Sequence, residues 1–262
     1  MPKTKLHFQR FEMKYQIPLN IVQGLLPEFL KYMDFDPYAK DLPDHAYTVA
    51  SLYYDSAGLD CYYQKLAGVK TRKKLRVRFY PDSDNFQIQP DTPIFLEIKK
   101  KYDMVVVKDR LALNHEKCYK LLKHNKTSDL NLTPDEKQSL DEFLWIKLYN
   151  GMLPQNMVIY KRQPLISKVD PNFRVTIDYD LRTFLSNSLK LKNSEKKVNT
   201  RMAILEVKFN NSMPAWFQSI IQRYGLEHQP FSKYCTCLET CKPELTGKKF
   251  AEIYSNNLAL AN

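Results

Sequence analysis

The chain has 262 residues, with 40 Lys+Arg against 29 Asp+Glu, and its formal net charge of +11 points to anionic partners. A hydrophobic content of 44% with 13% aromatics supplies a large core and excludes a disordered basic tail as the whole chain. Six glycines, none in a glycine-rich phosphate loop of the dinucleotide-binding or Walker kind, disfavour the common nucleotide folds.

In chain order, Met1-Pro2-Lys3-Thr4-Lys5 leads into a polar, strand-like segment with no export signal. Alternation predicts strands near 6–17, 47–54, 73–80, 93–101, 104–113, 156–166, 173–180 and 202–210. A helix is predicted over 19–33, with Leu19, Val22, Leu25, Leu26, Phe29, Leu30 and Met33 on one face, and others over 115–124 and 134–150. Thr133-Pro134-Asp135-Glu136 gives the third of these a capping threonine and a first-turn proline. Ser186 to Thr200 reads as a polar loop, Pro214 and Gly225 bracket a helix over 214–226, and Phe250, Ile253, Tyr254 and Leu258 stripe a helix over 247–261.

With no internal repeat and no long linker, a single α+β domain over 1–262 is expected. The longest apolar runs, Ile94-Phe95-Leu96 and Met104-Val105-Val106-Val107, fall far short of the roughly 18 residues that span a bilayer, so no membrane span and a cytoplasmic location are expected. Cys61, Cys118, Cys235, Cys237 and Cys241 are odd in number and read as reduced thiols. The C-x-C-x-x-x-C cluster, with His228 upstream, matches no usual zinc spacing and reads as buried structural cysteine.

The chemistry lies in strand phase. Leu75-Arg76-Val77-Arg78-Phe79 places charges two apart against an apolar opposite phase, and side chains two apart on a strand share a face. Phe11-Glu12-Met13-Lys14-Tyr15, Phe95-Leu96-Glu97-Ile98-Lys99, Phe173-Arg174-Val175-Thr176-Ile177-Asp178 and Leu205-Glu206-Val207-Lys208-Phe209 repeat the pattern, and Lys108 and Arg110 continue it. An ordinary sheet with one wet face also alternates. Here, however, Arg and Lys dominate the polar phase, and such a surface repels itself. An antiparallel barrel of about eight strands, with this phase inside and helices packed on the outside, resolves the conflict. A lumen so cationic calls for a dense anion such as an oligophosphate, and its few carboxylates suit a divalent cation held on the phosphates. A metal-assisted phosphoryl-transfer or phosphoanhydride site follows.

These segments, with Ser51-Leu52-Tyr53-Tyr54-Asp55, Tyr160-Lys161-Arg162 and Phe231-Ser232-Lys233-Tyr234, resemble the VTC-type polyphosphate polymerases of the triphosphate tunnel metalloenzyme superfamily, from about Arg10 to Glu239. Arg10 stands where the cyclase and thiamine-triphosphatase branch has the first glutamate of Glu-x-Glu-x-Lys, which favours the polymerase branch. The resemblance implies a tunnel that transfers the γ-phosphate of ATP to inorganic polyphosphate with Mn2+ or Mg2+. It implies Lys14, Arg76, Arg78 and Lys99 as catalytic cations on the phosphates, Arg162, Arg174 and Lys233 as phosphate-binding, and Glu206 as metal ligand. Strand phase adds Lys108, Arg110 and Lys208 to the phosphate set. Glu12 is a second candidate metal ligand or a partner of neighbouring lysines. Glu97 is read as pairing, and Asp178 stays undecided. Acceptor phosphate can attack γ-phosphorus directly, so no enzyme nucleophile is required. Two rivals are a tunnel triphosphatase that passes the phosphoryl group to water and a nonenzymatic polyanion or nucleic-acid binding module. Nucleic acid is the less expected partner, because its one basic run, Lys70-Thr71-Arg72-Lys73-Lys74, reads as a tunnel mouth or strand entry. Protein partners are left open.

Overall fold

A computed structural model describes residues 10–81, 88–102, 105–124, 127, 130–190 and 194–246; the helix expected over 247–261 lies outside them. Strand β1 (Arg10–Pro18) is followed by helix α1 (Leu19–Leu30), the short β2 (Met33–Phe35), β3 (Tyr47–Asp55) and α2 (Asp60–Leu66). Then come β4 (Thr71–Phe79), β5 (Pro93–Tyr102), β6 (Val105–Asn114), α3 (His115–His124) and α4 (Pro134–Tyr149). Strands β7 (Leu153–Ser167), β8 (Arg174–Leu185), β9 (Lys196–Lys197) and β10 (Met202–Asn210) precede α5 (Ala215–Arg223) and α6 (Lys233–Cys241).

Every ladder is antiparallel, in the order β1-β10-β8-β7-β3-β4-β5-β6, with β2 added to β7 and β9 to β8. The fold is therefore α+β with a large antiparallel sheet. The eight long strands stand where the alternation predicts them. The expected closed barrel is met only in part: the edge strands β1 and β6 come close, but no ladder joins them among the described residues.

Alternation sorts the sheet into two faces. The apolar phase of β1, β8 and β10 packs with Leu25 and Phe29 of α1 and with Phe217, Ile220 and Ile221 of α5. That of β4, β5 and β6 packs with Cys118 and Leu121 of α3 and with Leu140, Phe143 and Ile146 of α4. The helices thus cover the apolar phase, and burying it is what drives their docking.

Local chemistry fixes the helix ends. At α4, Thr133 accepts from the Glu136 amide while the Glu136 carboxylate accepts from the Thr133 amide, a reciprocal cap. Gly151 (φ +54) and Gly225 (φ +59) take the left-handed conformation just past α4 and α5, where the amides of Met152 and Leu226 reach back to Lys147 O and Ile221 O. The helix expected over 19–33 stops at Leu30, because Met33–Phe35 pairs with Leu165–Ser167 of β7. Helices α2 and α6 are absent from the sequence reading. Each is under ten residues, and neither has the bracket of a leading proline and a closing glycine that marks the comparably short α5.

Candidate functional site

The polar phase gathers its charges into three linked groups. The first centres on Glu97 of β5, whose side chain is 0% exposed. Its register partners are Arg76 on β4 and Arg110 on β6, so strand pairing sets a guanidinium on each side. Arg76 Nε donates to Oε2 at 2.6 Å, and Arg110 Nη2 and Lys108 Nζ stand 2.6 and 3.2 Å from Oε1. Arg78 Nε lies 3.8 Å from Oε2 and donates to Ser51 Oγ. Burial opposes ionisation of Glu97, but Arg76, Arg78, Lys108 and Arg110 outweigh it and hold the carboxyl well below its usual range. Burial also acts on Lys108: it and the nearby guanidinium groups lower the ammonium to about 8, despite the pull of Glu97.

The second group joins β1, β10 and β5. Lys14 faces Glu206 in register and Glu12 faces Lys208. Lys14 Nζ is 3.1 Å from Glu12 and 3.5 Å from Glu206, while Lys208 Nζ pairs with Glu206 Oε1. Lys99 reaches from β5 to Glu12 at 2.9 Å. Burial and Glu206 resist ionisation of Glu12, yet Lys14, Lys99 and Lys208 keep it ionised with a lowered pKa. Burial likewise resists ionisation of Glu206, and Lys208, Lys14, Lys233 and Arg162 overcome it.

The third group is Asp178, also 0% exposed. Arg162 grips it through Nε and Nη2, both at 2.7 Å, and Lys233 of α6 stands 2.6 Å from Oδ2. Arg162 and Lys233 also lie over the Tyr160 ring, at 5.3 and 4.8 Å from its centroid. Across the three groups, nine cations pair with four carboxylates. The surplus is positive, on a face that is largely withdrawn from water.

Helix α6 owes its place to Asp55, the last residue of β3. The buried Asp55 carboxylate accepts from the amides of Ser56, Cys61 and Tyr62 and from the Tyr234 hydroxyl at 2.5 Å. Tyr234 also stacks on Tyr53, with ring centroids 5.3 Å apart, and Tyr53 accepts from Arg76 Nη1 at 3.1 Å. Asp55 thus secures the start of α2 and the residue next to Lys233 together.

Of the residues expected from sequence, Glu12, Lys14, Arg76, Arg78, Lys99, Lys108, Arg110, Arg162, Glu206, Lys208 and Lys233 share these groups. Glu97 and Asp178 are both ion-paired, Glu97 with Arg76 and Asp178 with Arg162. Arg174 stands apart: it is exposed at the start of β8, and its Nε donates to Pro171 O within its own loop. Asp55, Tyr53, Tyr160 and Tyr234 went unnamed as site residues. In-phase spacing reaches the first two of these, since Asp55 and Tyr53 follow Ser51 at intervals of two. The cysteines of α6 form no disulfide, and no cluster of three or more His, Cys, Asp or Glu suited to a metal occurs among the described residues. Arg72 of the basic run donates to Gln64 O and Val69 O, and Lys73 pairs with Glu142 of α4.

Fold and site together define an antiparallel α+β protein whose sheet buries a cation-rich polar face. The family model of the VTC domain matches residues 9–242, so the chain belongs to the VTC domain family. It is 24% identical over 274 residues to the vacuolar transporter chaperone complex subunit 4 of Schizosaccharomyces pombe (strain 972 / ATCC 24843), covering 88% of this chain and 37% of that protein. The chain thus spans well under half of that relative's length. Two solved structures show a weaker likeness. A Hippeastrum protein, described as a putative adenylyl cyclase with a dominant triphosphatase activity, is 15% identical, with 88% of this chain and 96% of that chain covered and a TM-score of 0.49. A putative adenylate cyclase from Bacillus halodurans is 9% identical, with 86% and 95% covered and a TM-score of 0.47. No helix among the described residues is long and apolar enough to cross a membrane.

Proposed function

We propose that this chain transfers the γ-phosphate of ATP to a growing inorganic polyphosphate chain on its cationic sheet face. The observation that carries the reading is Glu97, one buried carboxylate ringed by Arg76, Arg78, Lys108 and Arg110. Cations in such excess on a withdrawn face are costly alone and favourable once a polyanion neutralises them. Membership of the VTC domain family and similarity to a vacuolar transporter chaperone subunit support the same reading. The proximity of β1 to β6, with the Lys99–Glu12 contact across the polar face, favours a sheet wrapped into a tunnel.

Guanidinium forks on Arg76, Arg78, Arg110 and Arg162 suit phosphate oxygens bidentately, and Lys14, Lys99, Lys208 and Lys233 add point charges. These groups hold donor and acceptor phosphates in line and neutralise charge as it spreads over the transferred phosphoryl. A divalent cation fits the donor chemistry. Glu12 and Glu206 are ionised, share Lys14 and supply hard oxygen ligands, and Mg2+ commonly takes one or two carboxylates with the rest from phosphate and water. Glu206 and Glu12 would hold the ion, which when bound screens phosphate charge.

The test is incubation with ATP and Mn2+, with products resolved on a gel that separates polyphosphate from orthophosphate. A polyphosphate ladder is expected. Release of orthophosphate alone would replace the reading with a triphosphatase, and no turnover would leave a polyanion-binding module. Arg76→Ala should lower synthesis by about a hundredfold, the scale of losing one charge-stabilising donor.

A further inference from the structure

One hydroxyl on the polar face has no hydrogen-bond partner among the described residues. Thr176 of β8 is 8% exposed, and its Oγ1 is buried without a hydrogen bond. Strand register places it within the site: Lys14, Glu206, Thr176 and Pro164 are successive partners across β1, β10, β8 and β7. Along β8 it lies two residues from both Arg174 and Asp178, in the charged phase.

The acceptors that the register sets beside it already have partners, and none of them takes the hydroxyl. Glu206 takes Lys208 and Lys14, and Asp178 takes both prongs of Arg162 as well as Lys233. The Pro164 carbonyl accepts from the Asp36 amide. A buried hydroxyl left unpaired costs about 1–3 kcal/mol, so its position suits an acceptor from outside the chain. Phosphate oxygens are acceptor-only and suit both this donor and the surrounding cations.

We propose that Thr176 is a further substrate-binding residue whose Oγ1–H donates to a non-bridging phosphate oxygen bound beside Lys14 and Arg162. This rests on the phosphate-site reading above and adds a neutral, geometry-selective donor to a set otherwise made of charges. It also makes a prediction that a structural threonine does not. Removing a hydroxyl satisfied inside the protein costs stability, whereas removing an unpaired one does not.

The experiment is calorimetric titration of inorganic tripolyphosphate into wild type, T176V and T176S, first in chelator and then with Mn2+, with melting temperatures measured alongside. The expected result is about tenfold weaker tripolyphosphate binding by T176V without metal, with T176S close to wild type. The melting temperature of ligand-free T176V should equal or exceed that of wild type. A lower one would overturn the proposal by showing that the hydroxyl is satisfied within the fold. A defect confined to the Mn2+ titration would also overturn it, by assigning the oxygen to the metal. Unchanged T176V affinity beside a binding wild type would sink this inference alone. A wild type that binds no tripolyphosphate would overturn the phosphate-site reading as well.

Discussion

Lys99 and Glu12 belong to strands near opposite ends of the ladder, yet the ammonium and carboxylate meet at 2.9 Å. This contact ties β5 to β1 across the polar face, where no backbone ladder links β1 to β6. Lys99 is held between opposing forces: burial lowers its pKa and Glu12 pulls it up.

Glu12→Gln should therefore destabilise the protein by about 1–3 kcal/mol, since Lys14 and Lys99 lose a shared counter-ion on a half-buried face. Lys99→Met on the Glu12→Gln background should cost less than Lys99→Met alone, giving a coupling of about 1 kcal/mol in urea denaturation. Zero coupling would show that the two side chains do not meet in solution.

Glu97 predicts the acid limb of stability. Its native pKa is held below the unfolded value near 4.3, so the unfolded chain takes up protons first as pH falls. Stability from this group is complete above about pH 5 and drains away as pH drops toward the native value. Glu206, Glu12 and Asp178 act in the same direction. Glu97→Gln should lower stability at pH 7 and flatten the slope of stability against pH between about 3 and 5. A slope identical to wild type would remove Glu97 from the acid transition.

Lys108 predicts the alkaline side of binding. With its pKa lowered to about 8, it is partly neutral in the free protein above that pH. A bound polyanion favours the charged form, so binding of tripolyphosphate near pH 8 to 9 should take up a proton. Affinity should then weaken as pH rises through this range. Titrations in buffers of different ionisation heat would detect the uptake, and Lys108→Met should reduce it.

Asp55 and Tyr234 predict how the site depends on α6. Asp55→Ala strips the acceptor from three backbone amides and a hydroxyl, and should cost about 3 kcal/mol or more in denaturant unfolding. Tyr234→Phe removes one of these bonds and keeps the stack on Tyr53, so about 1–2 kcal/mol is expected. Because Lys233 adjoins Tyr234 and reaches Asp178, polyphosphate synthesis by Tyr234→Phe should fall at a temperature where the protein stays folded. Full activity there would separate the tether from the site.

The two-residue spacing of Arg76 with Arg78, Glu97 with Lys99 and Glu206 with Lys208 was legible because a strand sends alternate side chains to opposite faces whatever its neighbours are. That rule placed the charges on one side and the helices on the other. It left Arg174 in phase with Asp178 without showing that it lies at an exposed strand end, since phase carries no information on depth. Helix α6, as short as α5 but without its Pro and Gly bracket, is not legible in the sequence, and the purpose of Asp55 shows only where α6 brings Tyr234 to it. Which cation meets which carboxylate was likewise settled by strand order. Residues 87 apart, such as Glu12 and Lys99, become neighbours only when the sheet curls. Sequence alone thus determined the sign and facing of the charge, because local backbone geometry dictates both. Tertiary structure decided the partners, because pairing depends on the long-range order of strands.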